Sequence, residues 1–245
     1  MSDGIWSALS GAVAQQRSLE VVANNVANVN TVGFRADRVV FREVLSQVAP
    51  DGPAPASLRF VAVDETVADR SAGALQDTGH PLHAALEGDG YFAVRTPAGE
   101  RYTRAGAWST DDAGTVRTAD GHAVLIDDPR GPRPLELPRG YRELSLSERG
   151  EVVVDGTNLG RLRVVSFAEP PDKEGLTLFT GRAPRAIGED VRVRQGFLES
   201  ANVNAVAGMN ELITVSRSFE AFQKVIDGFR ALDERTARDV GMRQR

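Results

Sequence analysis

Two histidines, His80 and His83 in the stretch HPLH, stand three residues apart, a spacing that on a helix would place two metal ligands on one face. The neighbouring Gly79 and Pro81 argue against a helix there, and no carboxylate stands at a matching offset, so both read as turn or surface histidines. His122 follows Asp120-Gly121 at the start of a strand and has no visible partner. The acids Glu87, Asp89, Asp111 and Asp112 suggest calcium or a carboxylate pair, yet the EF-hand spacing is absent and each Asp is accounted for as a turn residue. Nucleophile elbows, phosphate-binding glycine loops and dinucleotide fingerprints are missing too. There is no cysteine, which removes disulfides, thiolate catalysis and Cys-ligated zinc. The expectation is a protein that is not an enzyme and takes no cofactor or metal. A hydrolase built on the Glu87/Asp89 neighbourhood is the rival, and it needs a pocket that gathers those carboxylates.

The bulk composition is that of a folded chain: 245 residues, 41% hydrophobic and 26% charged, enough for one large or two modest domains. The net charge is -5, with 29 basic and 34 acidic residues interspersed. Nucleic acid and an anionic membrane surface both require a dense basic stripe, and none exists. The opening MSDGIWSALSGAVAQQ is acidic where a signal peptide is basic, and its apolar residues are spaced rather than continuous. Neither a signal peptide nor membrane insertion is expected, so the protein stays in the cytoplasm or leaves by a route that reads no such signal.

What must be positioned lies at the two ends. Ile5, Leu9, Ala12, Gln16, Leu19, Ala23 and Val26 follow alternating steps of four and three, the spacing of a seam facing a partner helix. Between Met1 and Phe34 the only charged residues are Asp3, Arg17 and Glu20, so the rest of this helix is Ser, Ala, Gln and Asn. Such a surface suits protein contact on several sides, because no charge has to be desolvated. Toward the other end, Ala205, Gly208, Leu212, Val215, Phe219, Phe222, Ile226 and Phe229 repeat the same alternation with no proline between them. Gly208 and Gly228 weaken that long helix by roughly 1 kcal/mol each, so it needs a partner. Ala27-Asn28-Val29-Asn30 closes the first helix and Ala201-Asn202-Val203-Asn204 opens the last; Asn caps helix N-termini and tolerates left-handed C-termini, with Gly33 just beyond. An antiparallel pair of the two termini follows.

Between the helices the texture changes. Residues 49–58, APDGPAPASL, predict an extended linker. From about Gly73 short alternating segments are punctuated by Pro97-Ala98-Gly99, Asp112-Ala113-Gly114 and Asp120-Gly121, which is hairpin chemistry. EVVVD, RLRVVSF, LTLFT and VRVRQGF continue the pattern, and Pro129, Pro132, Pro134 and Pro138 mark a loop between two halves. The predicted class is α+β: a mainly-β central domain at 73–200, a linker region at 35–72, and terminal helices at 1–34 and 201–245 paired as an antiparallel coiled-coil-like element.

Three stretches carry a family likeness: ANNVANVNTVGFR at 23–35, GALQDTGHPLHAALEGDGYFAV at 73–94 with YTRAGAWSTDDAGTV at 102–116, and QGFLESANVNAV at 195–206 with SRSFEAFQKVI at 216–226. Through them the chain resembles the flagellar basal-body rod protein family; similarity is diffuse over 36–72 and 127–190. His83 departs from the family pattern, where Asp is common, as does Ala107-Trp108, where Asn-Phe is common. The opening stretch and the length are most similar to the proximal-rod type, with the distal-rod type next.

The resemblance implies export unfolded through the flagellar type III apparatus without a cleavable signal, and residence in the periplasmic rod of the basal body. It further implies terminal helices that order when subunits stack, partners among proximal and distal rod proteins and copies of itself, and a hollow shaft that transmits torque. The residues expected at subunit contacts are Ile5, Leu9, Leu19, Asn24, Asn25, Val26, Asn28, Asn30, Gly33, Phe34, Asn202, Asn204, Met209, Leu212, Val215, Phe219, Phe222, Ile226 and Phe229. Their amides would satisfy backbone groups between subunits and fix register without the desolvation cost of charge. The rival of another class is a cytoplasmic β-domain binding protein that dimerises through its terminal helices.

Overall fold

The computed structural model describes residues 2–47, 57–188 and 190–242. The chain forms two compact units. One comprises Met1–Ala27, Asp37–Val67 and Asn204–Arg245, and the other Asn28–Ala36 with Ala68–Val203.

The first unit holds the helices α1 (Ser2–Ala27) and α2 (Ala205–Met242) and the strands β1 (Asp37–Gln47) and β2 (Ser57–Ala68), which form a two-stranded sheet. Most of the expected linker region is therefore strand, as the apolar-rich runs RVVFREV and RFVAVDETV favour. Residues 48–56, the greater part of the Pro-, Ala- and Gly-rich stretch, lie outside the described residues. α1 and α2 run antiparallel: a Cβ built on Gly11 would stand 2.6 Å from Phe222 Cε1, and one on Gly208 would stand 2.8 Å from Val26 Cγ2. Each glycine makes room for a side chain of the facing helix. No described helix is long and apolar enough to cross a membrane.

The second unit is the β body. β3 (Leu75–Asp77) and β4 (Ala84–Glu87) lead into β5 (Tyr91–Thr96) and β6 (Gly99–Thr103), and β5 pairs antiparallel with β6 in a sheet of many short strands. β5 also bonds to the strands Ala123–Asp127 and Val164–Ser166, which makes it central. Its sequence YFAV shows why: Phe92 and Val94 point into one core with Trp108, Val124, Ile126, Val152 and Leu162, while Tyr91 and Ala93 point into a second with Tyr102, Leu125, Val165 and Phe179. A strand buried on both faces loses the polar half of its alternation. The Trp108 ring meets Phe92 edge-on at 4.8 Å, and its Nε1 donates to the Ala105 carbonyl at 3.0 Å.

The predicted turns appear where the glycines stand. Gly99, Gly114 and Gly121 take φ of 108°, 88° and 81°, in the left-handed region that favours glycine. The proline-marked loop is more structured than expected, because Arg133–Pro134 pairs with Ala123–Asp127 and Leu135 and Leu137 are buried in the first core. Two late strands return to the beginning of the body: Arg192–Gln195 pairs with β4, and Phe197–Glu199 pairs with β3.

Gly106 allows the tightest backbone approach in this unit, since a Cβ there would stand 1.5 Å from the Ala84 carbonyl oxygen. Gly106→Ala is expected to destabilise the β body by about 3 kcal/mol or more, as forced overpacking against backbone does. Urea denaturation followed at Trp108, in a Trp6→Phe background, reads the change.

Candidate assembly surface

Small side chains let α1 approach its neighbours closely. Ala8, Ala12, Ala14, Val21 and Val22 are buried, whereas Leu9, at 43% exposure, and Gln16 and Ala23 are exposed. The enclosed line thus runs through Ala8, Ala12, Leu19, Val22 and Val26, one residue earlier than the expected seam at two of its steps. Ala8 there allows a closer approach than Leu9 would. On α2 the expected seam positions Ala205, Gly208, Leu212, Val215, Phe219, Phe222, Ile226 and Phe229 are all half-buried, and Met209 is exposed. Ile5 is half-buried.

Displaced from the seam, Leu9 and Gln16 line an open groove between the helices. Leu9, Ala12, Val13 and Gln16 form its α1 wall and Phe219, Gln223, Ile226, Asp227 and Arg230 its α2 wall, enclosing about 450 Å³. Trp6, Leu9 and Val13 on α1 and Val206, Met209 and Ile213 on α2 are exposed apolar side chains, each set on a single helix face. Exposed apolar patches of this kind mark interaction surfaces.

The asparagines have separate tasks. Asn25 Nδ2 donates to the Asp37 carbonyl at 2.8 Å and its Oδ1 accepts from the Asp37 N–H at 2.8 Å, so one amide clamps the start of β1 to the end of α1. Asn204 caps α2: its Oδ1 accepts from the Ala207 N–H at 3.0 Å. Asn24 and Asn30 are exposed. In the β body, Asn28 Oδ1 accepts from the Thr31 hydroxyl at 3.1 Å. Asn202 joins two backbone segments there, accepting from the Ala36 N–H at 2.7 Å and donating to the Asp69 and Ser71 carbonyls at 3.1 and 3.0 Å. Gly33 and Phe34 are buried within the same body, Phe34 completely, beneath the Lys173 ammonium at 4.0 Å from its ring. Asn25, Asn202, Gly33 and Phe34 are thus engaged inside the chain.

One charged cluster was not foreseen. Arg35, Arg104 and Glu199 are 2%, 4% and 1% exposed. Arg35 Nη2 lies 2.7 Å from Glu199 Oε1 and Arg104 Nη1 lies 3.4 Å from Glu199 Oε2. The Gly73 N–H donates to Glu199 Oε1 at 2.9 Å, and the Gly33 N–H donates to the Glu199 carbonyl at 2.8 Å. The guanidiniums reach further backbone: Arg35 donates to the Ser71 carbonyl at 2.7 Å, and Arg104 to the Gly88 carbonyl at 2.7 Å. Burial pushes the Arg104 guanidinium below its ordinary value, and Glu199 opposes that shift. No local pattern in the sequence marks these three residues as buried.

The candidate chemical groups do not converge. His80 and His83 sit at a turn with ring centroids 4.4 Å apart. The Thr78 hydroxyl gives its hydrogen to the Gly196 carbonyl, so His83 Nδ1–H donates to Thr78 Oγ1 at 2.8 Å, while His80 Nδ1 accepts from the Leu82 N–H. Burial, then the neighbouring His80, hold the His83 imidazole below its ordinary value. Glu87 pairs with Arg194 at 3.0 Å, Asp89 stands 3.9 Å from Arg104, and Asp111 pairs with Arg117 at 2.6 Å while accepting from the Ala113 and Thr115 N–H groups. No group of three or more His, Asp or Glu suited to a metal occurs among the described residues.

Three segments match known families. Residues 5–35 match "Flagella basal body rod protein", residues 85–154 match "Flagellar hook protein FlgE/F/G D1 domain", and residues 194–238 match "Flagellar basal body rod FlgEFG protein C-terminal". The chain is 34% identical to the flagellar basal-body rod protein FlgF of Mesorhizobium japonicum, over 90% of each chain. It is 33% identical to FlgF of Rhizobium meliloti, again over 90% of each, and 32% identical to FlgG of Bacillus subtilis over 92% of this chain and 94% of that one. Arg35, Arg104 and Glu199 fall one in each matched segment.

Removing one member of a buried ion cluster strands the charge of the others. Glu199→Gln is expected to lower the stability of the β body by about 3–5 kcal/mol, read as a shifted urea midpoint.

Proposed function

The chain belongs to the flagellar basal-body rod protein family, and from that premise we propose that it is the proximal-rod subunit, its terminal helices forming the inner wall of a hollow shaft. It is a structural subunit of the rod, in the flagellar basal body, and assembles with other rod subunits. The observation that carries the reading is likeness to rod proteins over nine-tenths of the chain, both helices included. FlgF-named relatives at 34% and 33% support the proximal position, while FlgG-named relatives at 32% support the distal alternative.

Mechanically, the subunit passes torque along the rod. Close-packed helices resist deformation, which supplies the stiffness. α1 and α2 act as an antiparallel coiled-coil-like element whose exposed apolar and amide faces meet neighbours, and such head-to-tail contacts do not close on themselves. Leu9, Asn24, Asn30 and Met209, exposed on this chain, meet the neighbours most directly. The protein reaches the periplasmic rod through the flagellar export apparatus, unfolded.

The axial level of an epitope-tagged chain in purified basal bodies tests the position. Label on the motor side of the rod is expected; label next to the hook would assign the distal role. Asn25→Leu removes two hydrogen bonds worth about 1 kcal/mol each. It is expected to leave the urea midpoint of the β body unchanged while reducing incorporation into rods and swimming, and normal values of both would count against the assembly role of this helix end.

A further inference from the structure

Two imidazoles fasten the turn between β3 and β4. His80 and His83 stack with ring centroids 4.4 Å apart and planes tilted by 33°. His83 Nδ1–H donates to Thr78 Oγ1, so neutral His83 keeps an open lone pair on Nε2. His80 is the reverse: its Nδ1 accepts from the Leu82 N–H at 3.3 Å, so its own hydrogen sits on Nε2. A proton added to His80 therefore goes to Nδ1, where it turns an acceptor into a donor facing the Leu82 N–H. A proton added to His83 places a cation in a half-buried site against its neighbour's ring. The same turn holds the returning chain. The Gly196 carbonyl accepts from the Thr78 and Gly79 N–H groups at 2.8 and 3.2 Å and from the Thr78 hydroxyl at 2.9 Å, while the Gly196 N–H donates to the His83 carbonyl at 2.8 Å. Gly196 joins strand Arg192–Gln195 to strand Phe197–Glu199, which ends on the buried carboxylate.

We propose that this turn is an acid-sensitive latch: protonation of the stacked His80–His83 pair opens residues 78–83 and releases Gly196. The charges on the surrounding elements are committed elsewhere. Asp77 Oδ1 accepts from the Gly79 N–H at 3.0 Å. On the paired strands Arg194 is bound to Glu87, and Arg192 and Arg194 approach Glu148. Arg104 and Glu199 are bound to each other in the interior. Burial, then His80, hold the His83 imidazole below its ordinary value. The closed turn thus takes up a proton less readily than the open one, so the latch is fully shut above about pH 6.5 and loosens as the pH falls below it.

Amide hydrogen exchange of the full chain, resolved by residue with NMR at about pH 7.5 and about pH 5.5 and corrected for the intrinsic rate, tests the latch. The reporters are the His83 N–H, which donates to the His80 carbonyl at 2.9 Å, and the Gly196 N–H. Their protection is expected to fall roughly tenfold in acid. The Ala93 N–H, which donates to the Arg163 carbonyl in the central strand, is expected to keep its protection. His80→Asn retains an acceptor for the Leu82 N–H but does not titrate, and is expected to abolish most of the fall. His83→Asp is expected to reverse it, because a carboxylate attracts a protonated His80. Undiminished protection of the wild-type turn in acid, an equal loss in His80→Asn, a fall in His83→Asp as steep as in the wild type, or a loss at Ala93 that tracks Gly196 would each overturn the proposal.

Discussion

The β body is organised around a single buried carboxylate. Glu199 holds Arg35 on one oxygen and Arg104 on the other, and the same residue bonds the main chain of Gly33 and Gly73. Taking three charges out of water costs several kcal/mol per ion, and attraction recovers that only where the remaining donors and acceptors are occupied. Here they nearly are: the arginines spend their other N–H groups on the Ser71, Leu86 and Gly88 carbonyls, and only the two Nε atoms find no partner. The cluster therefore defines geometry more than it adds stability. It dictates where residues 33–35, 71–73, 86–88, 104 and 199 stand, and Asn202 extends the same arrangement to Ala36, Asp69 and Ser71.

Much of the architecture was legible because it rests on local rules. The helix periodicity and the turn glycines are encoded within a few residues, and α1, α2 and the hairpins at Gly99, Gly114 and Gly121 follow from them. The strand content of 37–47 and 57–68 was hidden by the proline-rich run between those segments, which dominated the reading of the whole stretch. Leu135 and Leu137 were hidden for a similar reason, since flanking prolines suggest a loop even where the intervening leucines enter the core.

The residues of the assembly surface were harder to read. A three-four repeat fixes a helix face to within one residue, and the choice between Ala8 and Leu9 depends on how closely the axes approach, which periodicity does not encode. The amides are expected between subunits, whereas Asn25 and Asn202 bind backbone within the chain, on Asp37 and Ala36. Buried charge is invisible to hydropathy altogether. Arg35, Arg104 and Glu199 look like ordinary surface residues until the fold brings them together.

That meeting joins residues 35 and 199, which are 164 positions apart in the sequence. Closing so large a loop carries an entropic penalty that is recovered only when the final contact forms. A polypeptide that emerges amino end first, whether from a ribosome or through a pore, cannot complete its body until Glu199 has cleared the exit. Maturation of the sheet thereby waits for residue 199 of 245, leaving the thread slack for most of its passage.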